Sequence, residues 1–468
     1  MIKGKNMLSF FIGMVILVTA VFPITAYAEP PEVDFTISNP YKDVDWNTNE
    51  KINYKANLHC HTWASDGNYD VRDIIKMHYD LGYDALALTD HGIVDKSWTS
   101  DENYSKTISI LLGYFKTWEF RKDKSLFPKM PNYLTEEEYI QYTTPDKDQN
   151  GRYMIHVPNG IEHNPTSFNN AHVNSWYADY GNGILGGTSD YETPISNVDA
   201  LGGLSVINHP GEYSRARYED NPEKAYNEDY DYYINKYADV LSRYDSCIGI
   251  DMNSKGDGRT RNDRKLWDIL LQRLVPTGRN VFGICTSDAH KLSAVDTGWI
   301  NYYTNKGNTA ETLRECLETG AFFGGARNIE NVKELAFIEA QLGKKITGKD
   351  GTWSVKDSLN QPVVKSVAVD EAEDTITIDV DNALLVYWIA DGKVIATGNT
   401  IDLDNHYYND EIGSYVRAEI FGEGGILYSQ AFTLDYNGAP SGEEVRFFDW
   451  NIIWRKIKEA LIGVIKVD

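Results

Sequence analysis

The chain has 468 residues, of which 42% are hydrophobic and 12% aromatic, and its formal net charge is −24 with an isoelectric point near 4.8. This length and hydrophobic content predict two or three folded domains and exclude an intrinsically disordered chain. The acidic excess argues against a broad nucleic-acid-binding surface, which needs clustered Lys and Arg. It does not exclude a nucleotide at a metal site, because the ion supplies its own positive charge.

Residues 1–28 have the parts of a secretory signal peptide. A positively charged N-terminal region is followed by the apolar run MLSFFIGMVILVTAVF, and small residues ending at Ala28 offer a cleavage site. An uncleaved membrane anchor is the alternative, but the apolar run is short for a membrane span. We therefore expect the mature protein to be secreted or displayed at the cell surface.

Residues 29–330 alternate short apolar runs typical of strands with longer runs of helical periodicity. Such alternation predicts an α/β fold with a parallel sheet or barrel. The polar, tyrosine-rich segment 96–150 interrupts the pattern, and we interpret it as an insertion beside the mouth of a site. The predicted strands are YKANLHCH, DALALTDH, NGIEHN, AHVNSW, GLSVINHP, CIGIDMN, NVFGICTSDAH and GWINYY, and the predicted helices are VRDIIKMHYDLGY, RKLWDILLQRLV and TAETLRECLETG.

The pattern of apolar and polar residues changes after about residue 334. Alternating apolar and polar residues between Gly and Asn-Gly turns predict a small Ig-like β-sandwich over 334–437, followed by a linker over 438–446. Residues 447–468 predict an amphipathic helix, because their apolar residues recur at helical spacing. This helix either contacts a membrane surface, a cell wall or a partner, or packs on the protein's own domains. Its apolar positions are Trp450, Ile453, Trp454, Ile457, Leu461 and Val464.

The four cysteines, Cys60, Cys247, Cys285 and Cys316, are widely spaced and form no CxxC pair. Four cysteines in so long a chain do not make a disulfide scaffold. We interpret Cys60 and Cys285 as buried small side chains within apolar strands, although export would permit pairing.

Residues that bind metal ions gather at the ends of the predicted strands. His59 and His61 are two residues apart in NLHCHTWASDG, so on a strand their side chains share a face and can bind one ion. Asp288 and His290 repeat this spacing in TSDAH. A single histidine at a strand end is usually packed in the protein core. Packing alone does not readily explain the whole set of such residues. The other members of the set are Asp66, His91, Glu162, His172 and His209.

The C-terminal ends of parallel barrel strands converge on one cup, where such barrels place their chemistry. Imidazole and carboxylate groups suit zinc, manganese and iron, so the pattern predicts a metal centre in this cup. His163 adjoins Glu162 on the strand and should face away from it, which favours a structural role. His78, His156 and His406 also fall outside the set.

The ordered motifs HCH, SDG, TDHG, GIEHN, AHVN, NHPG and TSDAH resemble those of the PHP family, named for polymerase and histidinol phosphatase. The resemblance covers roughly residues 53–325. It implies a distorted (β/α)7 barrel with up to three metal ions and, for many members, hydrolysis of phosphate esters. By position it implies one ion held by His59, His61, Glu162 and Asp288, a second held by Glu162, His172 and His209, and a third held by Asp66, His91 and His290.

The implied chemistry needs no protein nucleophile. Adjacent ions lower the pKa of a bridging water, which gives hydroxide near neutral pH, and they bind phosphate oxygens. Glu162 and Asp288 would then be catalytic as well as metal-binding. Arg215 and Arg217 are candidate phosphate contacts, since arginine matches phosphate bidentately, but a surface salt bridge explains each equally well. Weaker candidates are Asn253, Lys255 and Arg259.

Together these features predict an exported phosphoesterase with two to three divalent ions (Mn, Zn or Fe) that acts on phosphate mono- or diesters. The expected substrate is a nucleotide, a phosphosugar or a wall polymer, and not duplex nucleic acid. One alternative is an amidohydrolase-like hydrolase of C–N bonds, although no lysine stands at a convincing bridging position. The other is a non-catalytic surface-binding protein, which the complete ligand set disfavours.

Overall fold

Two of the predicted features lie outside the part of the chain that the structure describes, namely the signal peptide and the boundary near residue 334. The structure is a computed structural model. It describes residues 33–102, 104–116, 131–148, 151–163, 171–186, 191–221, 224–254, 259–327, 339–343, 345 and 360–448, together with 450, 453, 454, 457, 460, 461, 465 and 466.

Strands form at the eight places where the sequence of the first half predicts them, in several cases shorter than the apolar run, and four further short strands form at 36–38, 155–156, 184–186 and 322–326. They are β1 (Thr36–Ser38), β2 (Asn53–Asn57), β3 (Ala85–Leu86), β4 (Ile155–His156), β5 (Ile161–His163), β6 (Val173–Trp176), β7 (Ile184–Gly186), β8 (Leu204–Ile207), β9 (Cys247–Asn253), β10 (Phe282–Cys285), β11 (Gly298–Tyr303) and β12 (Phe322–Ala326).

Two helix ends in this half show why helices begin or end where they do. The side chain of Asp70 accepts a hydrogen bond from the backbone N–H of Asp73 at the start of the first helix. The last helix of this half ends at Gly320, whose φ of 81° is in the left-handed region that favours glycine. The helices are α1 (Val71–Asp80), α2 (Lys106–Lys116), α3 (Glu136–Thr143), α4 (Glu192–Ala200), α5 (Asp231–Arg243), α6 (Asp263–Leu274) and α7 (Ala310–Thr319).

The strands around the predicted cup belong to two sheets. In one, β2, β3 and β4 run parallel, and in the other the order is β10-β9-β8-β6-β5, with β6 antiparallel to both neighbours. Single parallel bridges join the sheets, from Cys60 to Ala289 and from His91 to Glu162. The described residues thus form a mixed α/β structure in which no continuous ladder closes a barrel. The (β/α)7 barrel stays a prediction.

The core explains why β9 is largely apolar in sequence. All seven of its residues are buried, as expected for a strand covered on both faces. Ile250 lies in one apolar cluster with Trp267 and Leu270 of α6, and Ile248 lies in another with Trp176. The strand ends that carry the site are therefore fixed by packing on both sides.

A β-rich region follows, as the sequence predicts, and it hydrogen-bonds directly to the first half. Its strand β19 (Gly425–Tyr428) pairs antiparallel with β12, which pairs with β11, which in turn pairs with β2. Buried Arg417 also binds both carboxylate oxygens of Asp268 on α6, at 2.7 Å each. The Ig-like assignment and the domain limits stay predictions. The elements are β13 (Val363–Asp370), β14 (Thr375–Asp381), β15 (Ala383–Ala390), β16 (Lys393–Thr397), β17 (Thr400–Asp402), α8 (Leu403–Tyr407), β18 (Tyr415–Gly422), β19 (Gly425–Tyr428), β20 (Phe432–Asp435) and β21 (Ile465–Lys466).

All four cysteines are buried and none is in a disulfide, which confirms the interpretation of Cys60 and Cys285 as buried small side chains. Burial raises the pKa of the Cys60 thiol well above its usual range, so this thiol is not a reactive thiolate. Among the helices of the described residues, none combines the length and apolar character that a membrane crossing requires.

Candidate metal centre

The strand ends bring the nine predicted ligand side chains to one cup. Five of the strands deliver eight of them, from their C-terminal ends or from the loops that follow. These residues are His59 and His61 after β2, Asp66 in the same loop, His91 after β3, Glu162 on β5, His209 after β8, and Asp288 and His290 after β10.

His172 reaches the cup differently from the way the sequence suggests. It directly precedes β6 (Val173–Trp176), and β6 runs antiparallel to β5 and β8. The N-terminal end of an antiparallel strand lies at the same edge of the sheet as the C-terminal ends of its neighbours. His172 therefore lies at the start of a strand. The sequence pattern predicts it at the end of one.

Glu162 stands between two groups of imidazoles. Its Oε1 lies 2.8 Å from Nδ1 of His172 and 3.3 Å from Nε2 of His209. Its Oε2 lies 3.3 Å from Nε2 of His59, 3.2 Å from Nε2 of His61 and 3.2 Å from Nδ1 of His91. Each oxygen of this buried carboxylate therefore faces its own set of nitrogen ligands.

His59, His61 and Asp288 complete the group on the Oε2 side. The two Nε2 atoms of the histidines are 3.2 Å apart, and Oδ1 of Asp288 lies 3.2 Å from one and 3.0 Å from the other. Both imidazoles are fully buried. With Glu162, these residues present four ligand atoms within 4.8 Å of one another, as a single ion requires.

Asp66 is the centre of a neighbouring group. Its Oδ1 lies 3.5 Å from Nδ1 of His61 and 3.3 Å from Nε2 of His290, and its Oδ2 lies 3.7 Å from Nε2 of His91. The ring of His61 stacks on that of His290, with centroids 4.3 Å apart. His61 therefore belongs to two groups, whereas the sequence assigns it to one.

The third group also differs in detail from the predicted set. Its mutually close ligand atoms come from His91, Glu162 and His172, and His209 approaches the same carboxylate oxygen as His172 without joining the tight group. His91 is thus shared between groups in the way that His61 is. The residues predicted to bind metals lie together, while their division among ions stays a prediction.

The donor set fits divalent metal ions. Burial would lower the pKa of His61, but Asp288 and Glu162 outweigh it and raise that pKa to about 9. Burial would raise the pKa of Glu162, but the surrounding imidazoles, led by His91 and His172, hold it well below its usual range. The cup therefore favours positive charge, and its imidazole and carboxylate donors are those of zinc, manganese and iron sites.

Carboxylates behind the ligands were missed by the sequence analysis. Oδ2 of the fully buried Asp251 lies 3.8 Å from Nδ1 of His59, and Oε2 of Glu212 lies 3.3 Å from Nδ1 of His209. Such outer carboxylates orient imidazole ligands and raise their basicity. The available signal was an aspartate in the otherwise apolar strand CIGIDMN, because a buried carboxylate needs a partner.

The loop between His61 and Asp66 is held by another buried carboxylate. Asp90 accepts hydrogen bonds from the backbone N–H and hydroxyl of Thr62, at 2.8 and 2.7 Å, and from the hydroxyl of Ser65 at 2.5 Å. A Cβ at Gly67 would lie 2.5 Å from the carbonyl oxygen of His61, so only glycine allows this close approach. The loop geometry that aims Asp66 is therefore built into the sequence SDG.

Two residues of the cup have left-handed backbone conformations. His209 has φ of 26° and Asp288 has φ of 44°. Non-glycine residues rarely adopt positive φ, and such strain persists where the surrounding structure imposes it, often at functional sites. Both residues follow buried strands, which supply that restraint.

The predicted arginines are not brought to the cup by any contact of the described residues. Arg215 is exposed, and Arg217 donates to the carbonyl oxygen of Glu212 at 3.0 Å and lies over the ring of Tyr218. Arg259, the weaker candidate, forms a salt bridge with Glu212, the carboxylate behind His209. A phosphate-binding role for Arg215 and Arg217 stays a prediction.

The two other weak candidates for the lining of the cup are Asn253 and Lys255. Asn253 donates from its Nδ2 to the hydroxyl oxygen of Tyr428 at 3.2 Å, toward the β-rich region. Lys255 lies outside the described residues.

Tyr213 is a cup residue that the sequence analysis did not single out. Its ring centroid lies 5.1 Å from that of His172 and 5.8 Å from that of His209. Burial, together with the charges of Glu212 and Glu162, raises the pKa of Tyr213 well above its usual range, so its phenol keeps its proton. It follows the NHPG motif by two positions, which was the available signal.

The remaining histidines have structural partners. His163 Nε2 lies 2.7 Å from the hydroxyl of Ser175, and burial lowers the pKa of His163 to about 3. His78 lies between the backbone carbonyl of Ile74 and the side chain of Asn57, at 2.8 Å from each. The other two are paired with carboxylates, His156 with Asp95 and His406 with Glu411.

Two solved structures resemble the chain in part. A two-domain protein from Bacteroides vulgatus, which contains a predicted PHP-like metal-dependent phosphoesterase, is 14% identical over 84% of this chain and 88% of its own, with a TM-score of 0.38. The lesion-specific endonuclease PfuEndoQ of Pyrococcus furiosus is 12% identical over 57% of this chain and 56% of its own, with a TM-score of 0.29. TM-scores this low carry no weight for the activity of the chain.

No curated protein matches the sequence. Residues 57–253, however, match the PHP domain family, and this segment holds seven of the nine cup ligands, with Asp288 and His290 beyond it. Residues 57–253 of the chain are therefore a PHP domain, of the family that the sequence motifs resemble.

Proposed function

We propose that the protein is a metal-dependent phosphoesterase that holds two to three divalent ions in the cup and hydrolyses small phosphate esters. The observation that carries the proposal is the position of Glu162. Its two oxygens face different imidazoles, His172 and His209 on one side and His59, His61 and His91 on the other. A carboxylate placed in this way suits adjacent ions, which is the arrangement of two-metal hydrolases.

The chain's own residues would divide the work of hydrolysis. His59, His61, Glu162 and Asp288 would hold and orient the cations, which supply Lewis acidity and a bound water of lowered pKa. Tyr213, whose phenol is neutral, would donate a hydrogen bond or a proton at the leaving oxygen. These roles follow from the donor chemistry of each side chain and from its place in the cup.

The exposure of the ligands supports a small substrate. The side chain of His290 is 32% exposed, whereas those of the other ligands are at most 9% exposed. An opening on one side suits the end of a nucleotide, a phosphosugar or a wall polymer, and not a duplex nucleic acid, which the net charge of −24 also repels. Export to the cell surface belongs to the same proposal and is supported by the sequence of residues 1–28.

The test is metal content measured together with turnover. Protein purified without chelator should contain two to three equivalents of Mn, Zn or Fe. It should hydrolyse p-nitrophenyl phosphate or bis-p-nitrophenyl phosphate, lose that activity after chelation and regain it with added metal. The ratio of the two rates distinguishes a phosphatase from a phosphodiesterase.

His163→Gln is the matched control, since His163 adjoins Glu162 in sequence but binds Ser175 away from the ligands. It should keep its metal and its turnover. Activity that survives exhaustive chelation would contradict the proposal. Hydrolysis of amide substrates alone would favour the amidohydrolase alternative, and metal binding with no turnover on either substrate class would favour a binding protein.

A further inference from the structure

The end of the chain carries an unusual concentration of exposed apolar side chains. Positions 450, 453, 454, 457, 460 and 461 are helical. Elsewhere among the described residues, Tyr218, at 71%, and Leu201, at 56%, are the large hydrophobic side chains that are more than half exposed. We call the exposed apolar side chains of this last segment the aromatic face. They are Phe448 (67% exposed), Trp450 (69%), Trp454 (62%), Ile457 (42%) and Leu461 (81%).

Contacts on both sides hold this segment to the protein. Before it, Val445 packs against the apolar core, and the backbone N–H of Phe447 donates to Oδ1 of Asp239 at 3.2 Å. After it, Ile465 of β21 pairs with Gly186 of β7. The aromatic face is therefore exposed while its flanks are fixed, so the expectation that the helix packs on the protein's own domains does not account for it.

The sequence of the segment that carries the aromatic face differs in charge from the rest of the chain. Residues 447–468 contain four Lys or Arg residues and three acidic ones, within a protein of net charge −24. The basic residues are Arg455, Lys456, Lys458 and Lys466. Basic residues beside an apolar stripe are attracted to anionic headgroups, whereas the rest of this acidic surface is repelled by them.

We propose that the aromatic face is a membrane-surface site that binds the headgroup–acyl boundary of an anionic lipid bilayer. Tryptophan is enriched at that boundary because its ring is apolar while its N–H keeps a polar partner. Several large apolar side chains exposed close together in sequence are a sign of an interaction surface. This inference is independent of the proposed catalytic function.

Co-sedimentation of the full chain with vesicles tests the site. Vesicles of phosphatidylcholine with phosphatidylglycerol should bind the protein, pure phosphatidylcholine vesicles should bind it at least tenfold more weakly, and salt should weaken the binding. The variant W450A/W454A/L461A should lose at least tenfold in affinity. The control L201A/V394A removes two other exposed apolar side chains, at 56% and 49% exposure, and should bind like the unmodified chain.

Tryptophan quenching, phosphate-ester hydrolysis and the oligomeric state in solution make each outcome decisive. Brominated lipid chains should quench tryptophan emission in the unmodified chain, and less in W450F/W454F. Hydrolysis of a soluble phosphate ester should be the same in all variants, which separates this site from the cup. Equal binding of the triple variant, equal binding to neutral vesicles, or no binding at all would overturn the proposal. A dimer that the triple substitution dissociates, without lipid binding, would instead assign the face to a second copy of the chain.

Discussion

Asp251 approaches the edge of the His59 imidazole that faces away from the metal-binding side. Its Oδ2 lies 3.8 Å from Nδ1, whereas Nε2 of His59 faces Glu162 and Asp288. The hydroxyl of Thr286 donates to the same carboxylate oxygen. A carboxylate in this position fixes the orientation of a ligating imidazole and raises its basicity.

The substitution Asp251→Asn should therefore weaken metal binding about 10- to 100-fold, the usual effect of losing an outer partner of a ligand. Competition with a chelator of known affinity measures it. The control Asp296→Asn removes a partly buried carboxylate, one that pairs with Lys55 and Arg327. Equal metal affinities in the two variants would show that Asp251 has no specific role.

Glu162→Gln keeps the shape of the side chain but removes the charge that both imidazole groups face. We expect the loss of at least one metal equivalent and a fall in turnover of about 100-fold or more, because a bound ion contributes several kcal/mol of transition-state stabilisation. The circular dichroism spectrum should be unchanged. Metal analysis and steady-state kinetics beside His163→Gln make the comparison, and near-normal turnover in Glu162→Gln would show that Glu162 is not a metal bridge.

Tyr213→Phe tests the role of the neutral phenol beside His172 and His209. If its O–H protonates the leaving oxygen, turnover should fall about 100-fold for an alkyl phosphate, whose leaving group needs a proton. It should change little for p-nitrophenyl phosphate, whose leaving group does not. Metal content should be unaffected. An equal loss on both substrates would indicate a structural role for Tyr213.

The sequence predicts much of the cup because strand alternation and strand ends are local properties. The two-residue spacing of His59 and His61 places both on one face, and the structure brings them together. The direction of β6 is not local, because pairing with β5 and β8 makes it antiparallel. The origin of His172 at the start of a strand could therefore not be predicted from its own neighbours.

Contacts between residues that are distant in sequence could not be predicted either. The ion pair of Arg417 with Asp268 joins residues 149 positions apart, and the pairing of β19 with β12 crosses the predicted domain boundary. Neither has a local signature, since a buried charge in a strand or a helix does not identify its partner. For the same reason the sequence placed His59 among the predicted ligands but gave no sign that Asp251 lies behind it.

Buried His78 makes the stability of the protein depend on pH. Burial lowers the pKa of His78 to about 4 from an ordinary value of 6.5. Above pH 6.5 the imidazole is neutral in both the folded and the unfolded chain, so it contributes no pH dependence. Below pH 6.5 the unfolded chain takes up a proton that the folded chain does not, and the free energy of unfolding falls until about pH 4.

Between pH 7.5 and 5 this difference amounts to about 2 kcal/mol. Urea unfolding of the chelator-treated protein at the two pH values measures it, with His78→Gln as the comparison. The glutamine cannot titrate but can still bond to Asn57, so the variant should lose about 2 kcal/mol less stability than the unmodified chain over this range. The histidines of the cup titrate in both proteins and cancel in the comparison. Identical pH dependence in the two proteins would show that His78 takes up its proton in the folded state as readily as in the unfolded one.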